Sequence, residues 1–292
     1  MSRVAYVNGR YMPHRLASVH IEDRGYQFAD GVYEVVYLQD GRLIDRDLHL
    51  DRLDRSLREL RIAAPLGRPA LLAVLDEMIN RNRRRTGLIY MQVTRGVARR
   101  DHGFPPAGTR PSLVITLRGV APFPTGIDAW TYTAITAPDQ RWARCDIKSV
   151  ALLPNVLARQ AARERGANEA ILYDAAGMVT EGASTSVWIV DEAGALRTRP
   201  LSHAILPGCT RAALIGELAD ADISMEESAF SIDELRSARE VFVTSASSFV
   251  KPVVQLDGAP VGDGTPGPVA RALFAVFARH ITAGRNISAK TP

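Results

Sequence analysis

The sequence predicts an α+β protein built from two domains. Two hairpin signals open the chain, Asn8-Gly9 and Asp40-Gly41, each between alternating apolar stretches. Helical periodicity follows, and later strands and helices lack the strict strand–helix repeat of a doubly wound sheet. A chain of 292 residues, 46% hydrophobic and 23% charged, is long enough for two hydrophobic cores.

The first domain is predicted to be a small α+β unit over residues 1–120. Apolar residues recur at intervals of three and four in two stretches, which indicates helices, and two β-rich stretches indicate strands. These helices and strands are predicted at residues 47–61, 69–84, 89–96 and 112–119. The segment GVAPFPTG, residues 119–126, has two prolines and two glycines and is the predicted interdomain linker.

The larger second domain is predicted over residues 127–292, with a mixed sheet. Short β-branched and aromatic stretches indicate its strands, and apolar residues at helical spacing indicate its helices. The strands are predicted at 127–136, 169–174, 185–190 and 240–245, and the helices at 154–165, 210–220 and 268–282.

Composition and charge exclude several function classes. No run of 18 apolar residues predicts a membrane span, and the N-terminus lacks the apolar region of a signal peptide. Cys145 and Cys209 are too few for a disulfide framework or a zinc site, so we expect a reduced, cytoplasmic protein. The net charge is +4, but the basic run at residues 81–85 ends a predicted helix, where cations are favourable. We therefore expect no nucleic-acid partner.

Lys148 and Glu181 are the first candidates for chemistry. Most lysines are solvated surface charges, but Lys148 lies between Ile147 and an apolar stretch, and a desolvated lysine is a competent amine nucleophile. Glu181, between two predicted strands, is either a carboxylate facing water or a partner for a cofactor's pyridinium N–H.

Two segments are candidate phosphate sites. ILPGCTR, residues 205–211, places Cys209 and Thr210 at the start of a predicted helix, where N–H groups bind anions; the alternative is a simple Thr N-cap. Ser245 and Ala246 follow a predicted strand in TSASS and form either a plain turn or a second phosphate contact. An amine, a carboxylate and a phosphate cradle are together what pyridoxal 5′-phosphate requires.

These segments resemble the fold-type IV pyridoxal-phosphate enzymes. The resemblance covers DIKSVALLPNVLARQAARERGANEAILYD, MVTEGASTSVWIV, ILPGCTR and FVTSASS. In the first half, DRGYQFADGVYEVV, HLDRLDRS and IYMQVTRGVARRDHGFP are similar to the D-amino-acid (D-alanine) aminotransferases. The similarity extends over essentially the whole chain, in order.

The resemblance implies a role for each matched position. Lys148 would form the Schiff base and move the substrate proton, Glu181 would face the pyridine nitrogen, Arg52 would hold the phosphate, and Leu206 would pack on the ring. Further phosphate contacts would come from Cys209, Thr210, Ser245 and Ala246. Ala246 replaces an expected hydroxyl residue, Cys209 an aliphatic residue and Ser186 an asparagine; Lys251 is also unexpected.

Tyr33, Arg100 and His102 match the family's binding site for the substrate α-carboxylate. In the family the arginine and histidine come from the neighbouring subunit, which implies a homodimer with active sites near its interface. The implied activity is ping-pong transamination between D-amino acids and a 2-oxo acid, 2-oxoglutarate or pyruvate.

Three alternatives remain open from the sequence. Another fold-type IV enzyme, such as a branched-chain L-aminotransferase, an (R)-amine transaminase or an aminodeoxychorismate lyase, would share Lys148 and Glu181 but not the carboxylate-binding residues. A non-catalytic phosphate-binding protein would not need Lys148. A nucleic-acid-binding module would show salt-sensitive binding to DNA.

Overall fold

A computed structural model describes residues 3–218 and 223–283 of the chain, which form two compact units. The first unit holds residues 3–122 and 147–151, and the second holds 123–146, 152–218 and 223–283. The domain boundaries given above, 1–120 and 127–292 with a linker at 119–126, stay a prediction. Within the described ranges, no helix is long and apolar enough to cross a membrane.

The described ranges contain a short 3-10 helix, His14–Leu16, and seven α-helices. The helices are α1 (Arg24–Phe28), α2 (Arg46–Glu59), α3 (Arg68–Asn82), α4 (Leu153–Glu164), α5 (Cys209–Leu218), α6 (Ile232–Ser237) and α7 (Pro268–Ala283). The strands of the first unit are β1 (Val4–Val7), β2 (Arg10–Pro13), β3 (Gly31–Gln39), β4 (Arg42–Leu43), β5 (Gly87–Thr94) and β6 (Ser112–Arg118). Those of the second are β7 (Tyr132–Pro138), β8 (Glu169–Tyr173), β9 (Val179–Gly182), β10 (Ser186–Val190), β11 (Leu196–Thr198), β12 (Met225–Glu227), β13 (Glu240–Ser245), β14 (Phe249–Leu256) and β15 (Ala259–Pro260).

The first unit has a six-stranded antiparallel sheet in the order β2-β1-β6-β5-β3-β4. Both hairpin predictions are confirmed, since Asn8-Gly9 joins β1 to β2 and Asp40-Gly41 joins β3 to β4. The helices α2 and α3 place apolar residues in one core with the sheet, including Leu50, Leu53 and Leu75. The segment 147–151 joins this unit, because Ile147 is buried in that core.

The second unit has a nine-stranded mixed sheet, which confirms the mixed-sheet prediction. Its order is β12-β11-β10-β13-β14-β7-β8-β9, with β15 paired to β14. The pairs β11–β12, β14–β7 and β7–β8 are parallel, and the others are antiparallel. α4 contacts β7 and β8, while α5 and α7 contact each other and β13. The candidate residues of this unit lie on β9, near the start of α5 and at the end of β13.

Candidate active site

Lys148 lies half-buried on the segment 147–151, with its Nζ 4.4 Å from the centroid of the Tyr33 ring. The backbone fixes this contact, because Tyr33 N donates to Lys148 O at 3.0 Å and Val150 N donates to Gly31 O at 3.0 Å. The segment is thus paired along β3 through an isolated bridge between Val32 and Ser149. The lysine amine therefore has a defined position against an aromatic face.

Arg52 is buried, although its helix looks amphipathic and charged. Its side chain is 8% exposed, and its Nε and Nη2 donate to the two oxygens of Glu34 at 2.7 and 2.8 Å. His49, one turn earlier on α2, lies 2.8 Å from the same carboxylate. Burial of Glu34 opposes ionisation, but the charge and hydrogen bonds of Arg52, with those of His49, lower its pKa to about 2. The guanidinium is thus held by a charged carboxylate.

Arg100 and His102 lie on an exposed loop after β5, and both contact Phe28. The guanidinium carbon of Arg100 is 5.0 Å from the Phe28 centroid, and the His102 ring is 5.4 Å from it. Arg24 anchors this loop, since its Nη1 donates to Asp101 O at 2.6 Å. The structure therefore places Tyr33 with Lys148, and Arg100 and His102 with Phe28.

Asp30 holds the arginine that anchors the loop. It accepts from Arg24 Nε at 2.8 Å and from Arg95 Nε and Nη2 at 2.8 and 3.0 Å. Burial opposes ionisation of Asp30, but the hydrogen bonds from Arg95 and Arg24 lower its pKa overall. No sequence signal pointed to Asp30, because its two partners lie 6 and 65 residues away.

Glu181 lies within a strand, β9, and not in a connection between strands as its setting suggested. It is buried, and one carboxylate oxygen forms a short ion pair with Arg141. The other accepts from Leu206 N at 3.1 Å. This hydrogen bond fixes the backbone of Leu206 next to Glu181. The family resemblance assigned both residues to the cofactor ring.

Arg141 joins the candidate residues through Glu181, although no sequence pattern indicated it. Besides its ion pair with Glu181, Arg141 forms an ion pair with Asp139, in which Nη2 lies 2.7 Å from Oδ2. The same Nη2 donates to Ala204 O at 3.2 Å. Burial opposes the charged form, but Asp139 and Glu181 raise the pKa of Arg141 overall. A second arginine, Arg144, stands in the same RWARC segment, so the sequence alone did not single out either.

The predicted helix start at Cys209 is confirmed, because α5 begins there. Thr210 is 4% exposed, and among the residues described its hydroxyl makes no hydrogen bond. A Cβ on Gly208 would lie 2.8 Å from the Ser186 hydroxyl, so a larger residue at this turn would displace that hydroxyl. A threonine hydroxyl beside the first N–H groups of a helix is an arrangement that binds an anion.

The second candidate phosphate segment is a tight turn at the end of β13. Ser245 Oγ accepts from Ser248 N at 3.0 Å, and Ser248 N also reaches Ser245 O at 3.3 Å. Phe249 closes the turn with a φ of 56°, the left-handed region that a phenylalanine rarely adopts. Ser245 and Ala246 therefore lie on a constrained loop and not on a flexible connection.

Comparisons with known proteins identify the family to which this arrangement belongs. A family model described as amino-transferase class IV matches residues 31–256. The D-alanine aminotransferase of Bacillus licheniformis is 41% identical over 264 residues, which cover 90% of this chain and 92% of that protein. The D-alanine aminotransferase of Staphylococcus haemolyticus is 39% identical over 280 residues, covering 94% and 97%.

Solved structures show the same fold at lower identity. A branched-chain amino acid aminotransferase from Escherichia coli has a TM-score of 0.85 and 24% identity, and the match covers 96% of this chain and 94% of that one. A hypothetical aminotransferase from Mycobacterium tuberculosis, solved in a PLP-bound form, has a TM-score of 0.82 and 20% identity, covering 97% and 100%. The predicted resemblance to fold-type IV aminotransferases is confirmed by these matches.

Proposed function

The chain belongs to the amino-transferase class IV family, and from this we propose that it transfers amino groups from D-amino acids such as D-alanine to a 2-oxo acid, with pyridoxal 5′-phosphate as cofactor. The observation that carries the proposal is the 41% identity, over 90% of the chain, to a D-alanine aminotransferase. The acceptor we expect is 2-oxoglutarate or pyruvate.

The residues present fit the chemical parts of that cofactor. When bound, pyridoxal 5′-phosphate supplies an aldehyde that reacts with amines and a ring that withdraws electrons from the substrate Cα. We assign the amine to Lys148, the partner of the ring nitrogen to Glu181 and an apolar contact on the ring to Leu206. Arg52 and four residues at the two turns would hold the phosphate: Cys209, Thr210, Ser245 and Ala246.

Each assigned residue contributes a step that its surroundings support. Lys148 would take the proton from the substrate Cα and deliver it to the carbon of the cofactor's former aldehyde, and its contact with the Tyr33 ring fixes where the amine lies. Arg141 holds Glu181 in its ion pair, so that the carboxylate keeps its orientation. Thr210 offers a hydroxyl that has no hydrogen bond to any described residue.

Substrate selection is assigned to Tyr33, Arg100 and His102. A guanidinium with phenol and imidazole donors binds a carboxylate through charge-assisted hydrogen bonds. A carboxylate held in this way determines which face of the substrate Cα is presented to Lys148. The D preference of the enzyme would follow from that orientation.

A branched-chain L-aminotransferase is the second candidate, since the Escherichia coli structure described above is a branched-chain enzyme. Its 24% identity carries the fold alone, whereas the D-alanine aminotransferases reach 41%. Initial rates with D-alanine and L-alanine, each with 2-oxoglutarate, separate the two functions. We expect turnover of D-alanine only; faster turnover of L-alanine or L-leucine would assign the chain to the second candidate.

The proposal is also tested at Lys148, because the chain has only three lysines: Lys148, Lys251 and Lys290. Lys148→Ala should lower turnover by about 10⁴-fold or more, since the amine nucleophile is lost. In the unsubstituted enzyme, borohydride reduction with cofactor bound, followed by peptide mapping, should mark Lys148. Marking of Lys251 or Lys290 would show that the amine was assigned wrongly.

We further propose that the protein is a cytoplasmic homodimer. The helix α4 carries three apolar side chains that are 69%, 58% and 55% exposed, at Leu153, Val156 and Leu157. Their spacing gives one apolar stripe, which favours a partner surface. The thiols of Cys145 and Cys209 are free and buried, as is usual in a reducing compartment. Analytical ultracentrifugation of the chain and of Leu157→Glu would test the dimer.

A further inference from the structure

Lys251, on β14, lies in an unusual environment for a lysine. The residue is 7% exposed, and its Nζ lies 3.3 Å from the Trp130 ring centroid and 4.2 Å from that of Tyr132. Among the residues described, no carboxylate forms an ion pair with it. Burial lowers the pKa of Lys251 to about 8, so most of these side chains still carry a charge at pH 7. The two aromatic faces are therefore the partners of a buried cation.

Both aromatic partners of Lys251 reach the same residue through their polar atoms. Trp130 Nε1 donates to Ser248 O at 3.1 Å, and the Tyr132 hydroxyl lies 3.4 Å from Ser248 Oγ. Ser248 is the last residue of the turn that begins at Ser245, and its N–H closes that turn. The ammonium group thus contacts two rings, and the residues that carry these rings contact the turn at Ser248.

The turn needs such support because its geometry is strained. Phe249 directly follows it with a φ of 56°, which costs energy for any residue with a side chain. The Phe249 ring is fixed by Trp130, with ring centroids 6.3 Å apart, and by Phe123 at 4.8 Å. Trp130 therefore contacts both Ser248 and Phe249, and Lys251 covers the face of that same ring.

We propose that Lys251 is a positioning residue for the cofactor phosphate, which acts through Trp130 and Tyr132 to hold the turn 245–248 in its binding conformation. The inference rests on the proposed function, since it takes Ser245 and Ala246 as phosphate contacts. Ala246 has no hydroxyl to offer, so its phosphate contact would come from its backbone N–H, whose direction depends on the turn's conformation. A loss of the cation would loosen the turn and weaken the binding of phosphorylated ligands.

The test compares Lys251→Met, which keeps an unbranched four-atom side chain but loses the ammonium group, with Lys251→Arg, which keeps a cation for the rings. Dissociation constants are measured by titrating the full-length, cofactor-stripped protein with pyridoxal 5′-phosphate and with pyridoxal. Lys251→Met should weaken the binding of pyridoxal 5′-phosphate by about 5- to 30-fold, as expected for the loss of one desolvated cation–π contact. Lys251→Arg should stay within about twofold, and pyridoxal should bind all variants equally.

Gln255→Met is the matched control, because Gln255 lies on the same strand and outside the turn. It should leave both dissociation constants unchanged. If Lys251→Met lost affinity equally for both ligands, or lost affinity for neither, the inference would be overturned. Normal binding in Lys251→Met together with weak binding in Lys251→Arg would overturn it as well, since the charge would then have no role.

Hydrogen exchange of the same full-length proteins separates this inference from the proposed function. Without ligand, the amides of Ser247, Ser248 and Phe249 should exchange about 5- to 30-fold faster in Lys251→Met than in the Gln255→Met control. If no protein binds pyridoxal 5′-phosphate, the proposed function fails, and the exchange rates alone decide whether Lys251 holds the turn. Unchanged exchange in Lys251→Met would refute the positioning role in either case.

Discussion

Arg52 and Arg100, the two arginines proposed to bind anions, lie in opposite environments within the first unit. Arg52 is 8% exposed and donates to Glu34 through Nε and Nη2. Arg100 is exposed, contacts the Phe28 ring, and forms no ion pair with any described carboxylate. The buried arginine is oriented by a permanent carboxylate before any ligand arrives, whereas the exposed one keeps its charge uncompensated.

The two environments determine how each arginine would bind its anion. A phosphate at Arg52 would have to share the guanidinium with Glu34, so this contact would contribute orientation more than net charge. A substrate carboxylate at Arg100 would meet a cation that forms no ion pair with a described carboxylate, so the attraction would be larger but less directed. Substitutions should therefore affect folding at Arg52 and substrate binding at Arg100.

The largest effect is expected for Arg52→Met. The substitution leaves Glu34, which is 0% exposed, without its main counter-charge, and an uncompensated buried charge costs about 3–5 kcal/mol of stability. Urea unfolding of the cofactor-free protein measures this loss apart from any phosphate contact. Arg58→Met, on the exposed side of the same helix, is the matched control and should change the free energy of unfolding by less than about 0.5 kcal/mol.

The second prediction concerns pH and follows from the low pKa of Glu34. Its folded pKa of about 2 lies below the ordinary value of 4.5, so the stabilisation is fully present above pH 4.5 and is lost as pH falls through 2. The shift corresponds to about 3 kcal/mol. The stability difference between the unsubstituted protein and Glu34→Gln should therefore shrink by about that amount from pH 5 to pH 2. A constant difference would mean that Glu34 does not stabilise the fold by its charge.

The third prediction concerns Arg100→Ala, which should leave stability unchanged. Loss of one charged hydrogen-bond donor to a carboxylate costs about 1.5–3 kcal/mol, or about ten- to a hundred-fold in kcat/KM for D-alanine. The kcat/KM for an amine without a carboxylate, such as (R)-1-phenylethylamine, should not fall. His102→Ala should show the same pattern with smaller losses. Equal losses for both substrates would make Arg100 structural and leave Tyr33 and His102 as the assigned carboxylate contacts.

The contrast between the two arginines also shows what the sequence could and could not predict. The hairpins, α2 and α3 followed from short-range patterns, and both arginines were found only through the resemblance. Burial of Arg52 was missed because its partner lies 18 residues earlier. A signal existed, however: Glu34 shares the inward face of β3 with Val32 and Val36, where an unpaired carboxylate is not tolerated.

Other elements were missed for physical reasons that can be named. α1 has five residues, too few for a helical period, and β9 contains a glutamate and a glycine that favour a turn. β14 contains Pro252, which cannot donate to a sheet and argues against a central strand. Arg141 joined the site only when the fold brought Glu181 to it, 40 residues away.

The smallest effect is expected for Asp30→Asn, which acts on Arg100 through the loop. Asp30 binds Arg24 and Arg95, and Arg24 donates to the carbonyl oxygen of Asp101, the residue after Arg100. The substitution weakens charge-assisted bonds but leaves the guanidinium of Arg100 in the protein. We expect KM for D-alanine to rise by about three- to tenfold, with kcat changed less, because about 1 kcal/mol of positioning is lost.

Asp30→Asn should thus reproduce Arg100→Ala on a smaller scale, and the double variant should be no worse than Arg100→Ala alone. This follows because a residue that acts only by positioning Arg100 has nothing left to position once Arg100 is removed. The rate with (R)-1-phenylethylamine serves as the control for general damage and should stay constant in all three variants. Additive losses in the double variant would show that Asp30 supports the unit by a route independent of the exposed arginine.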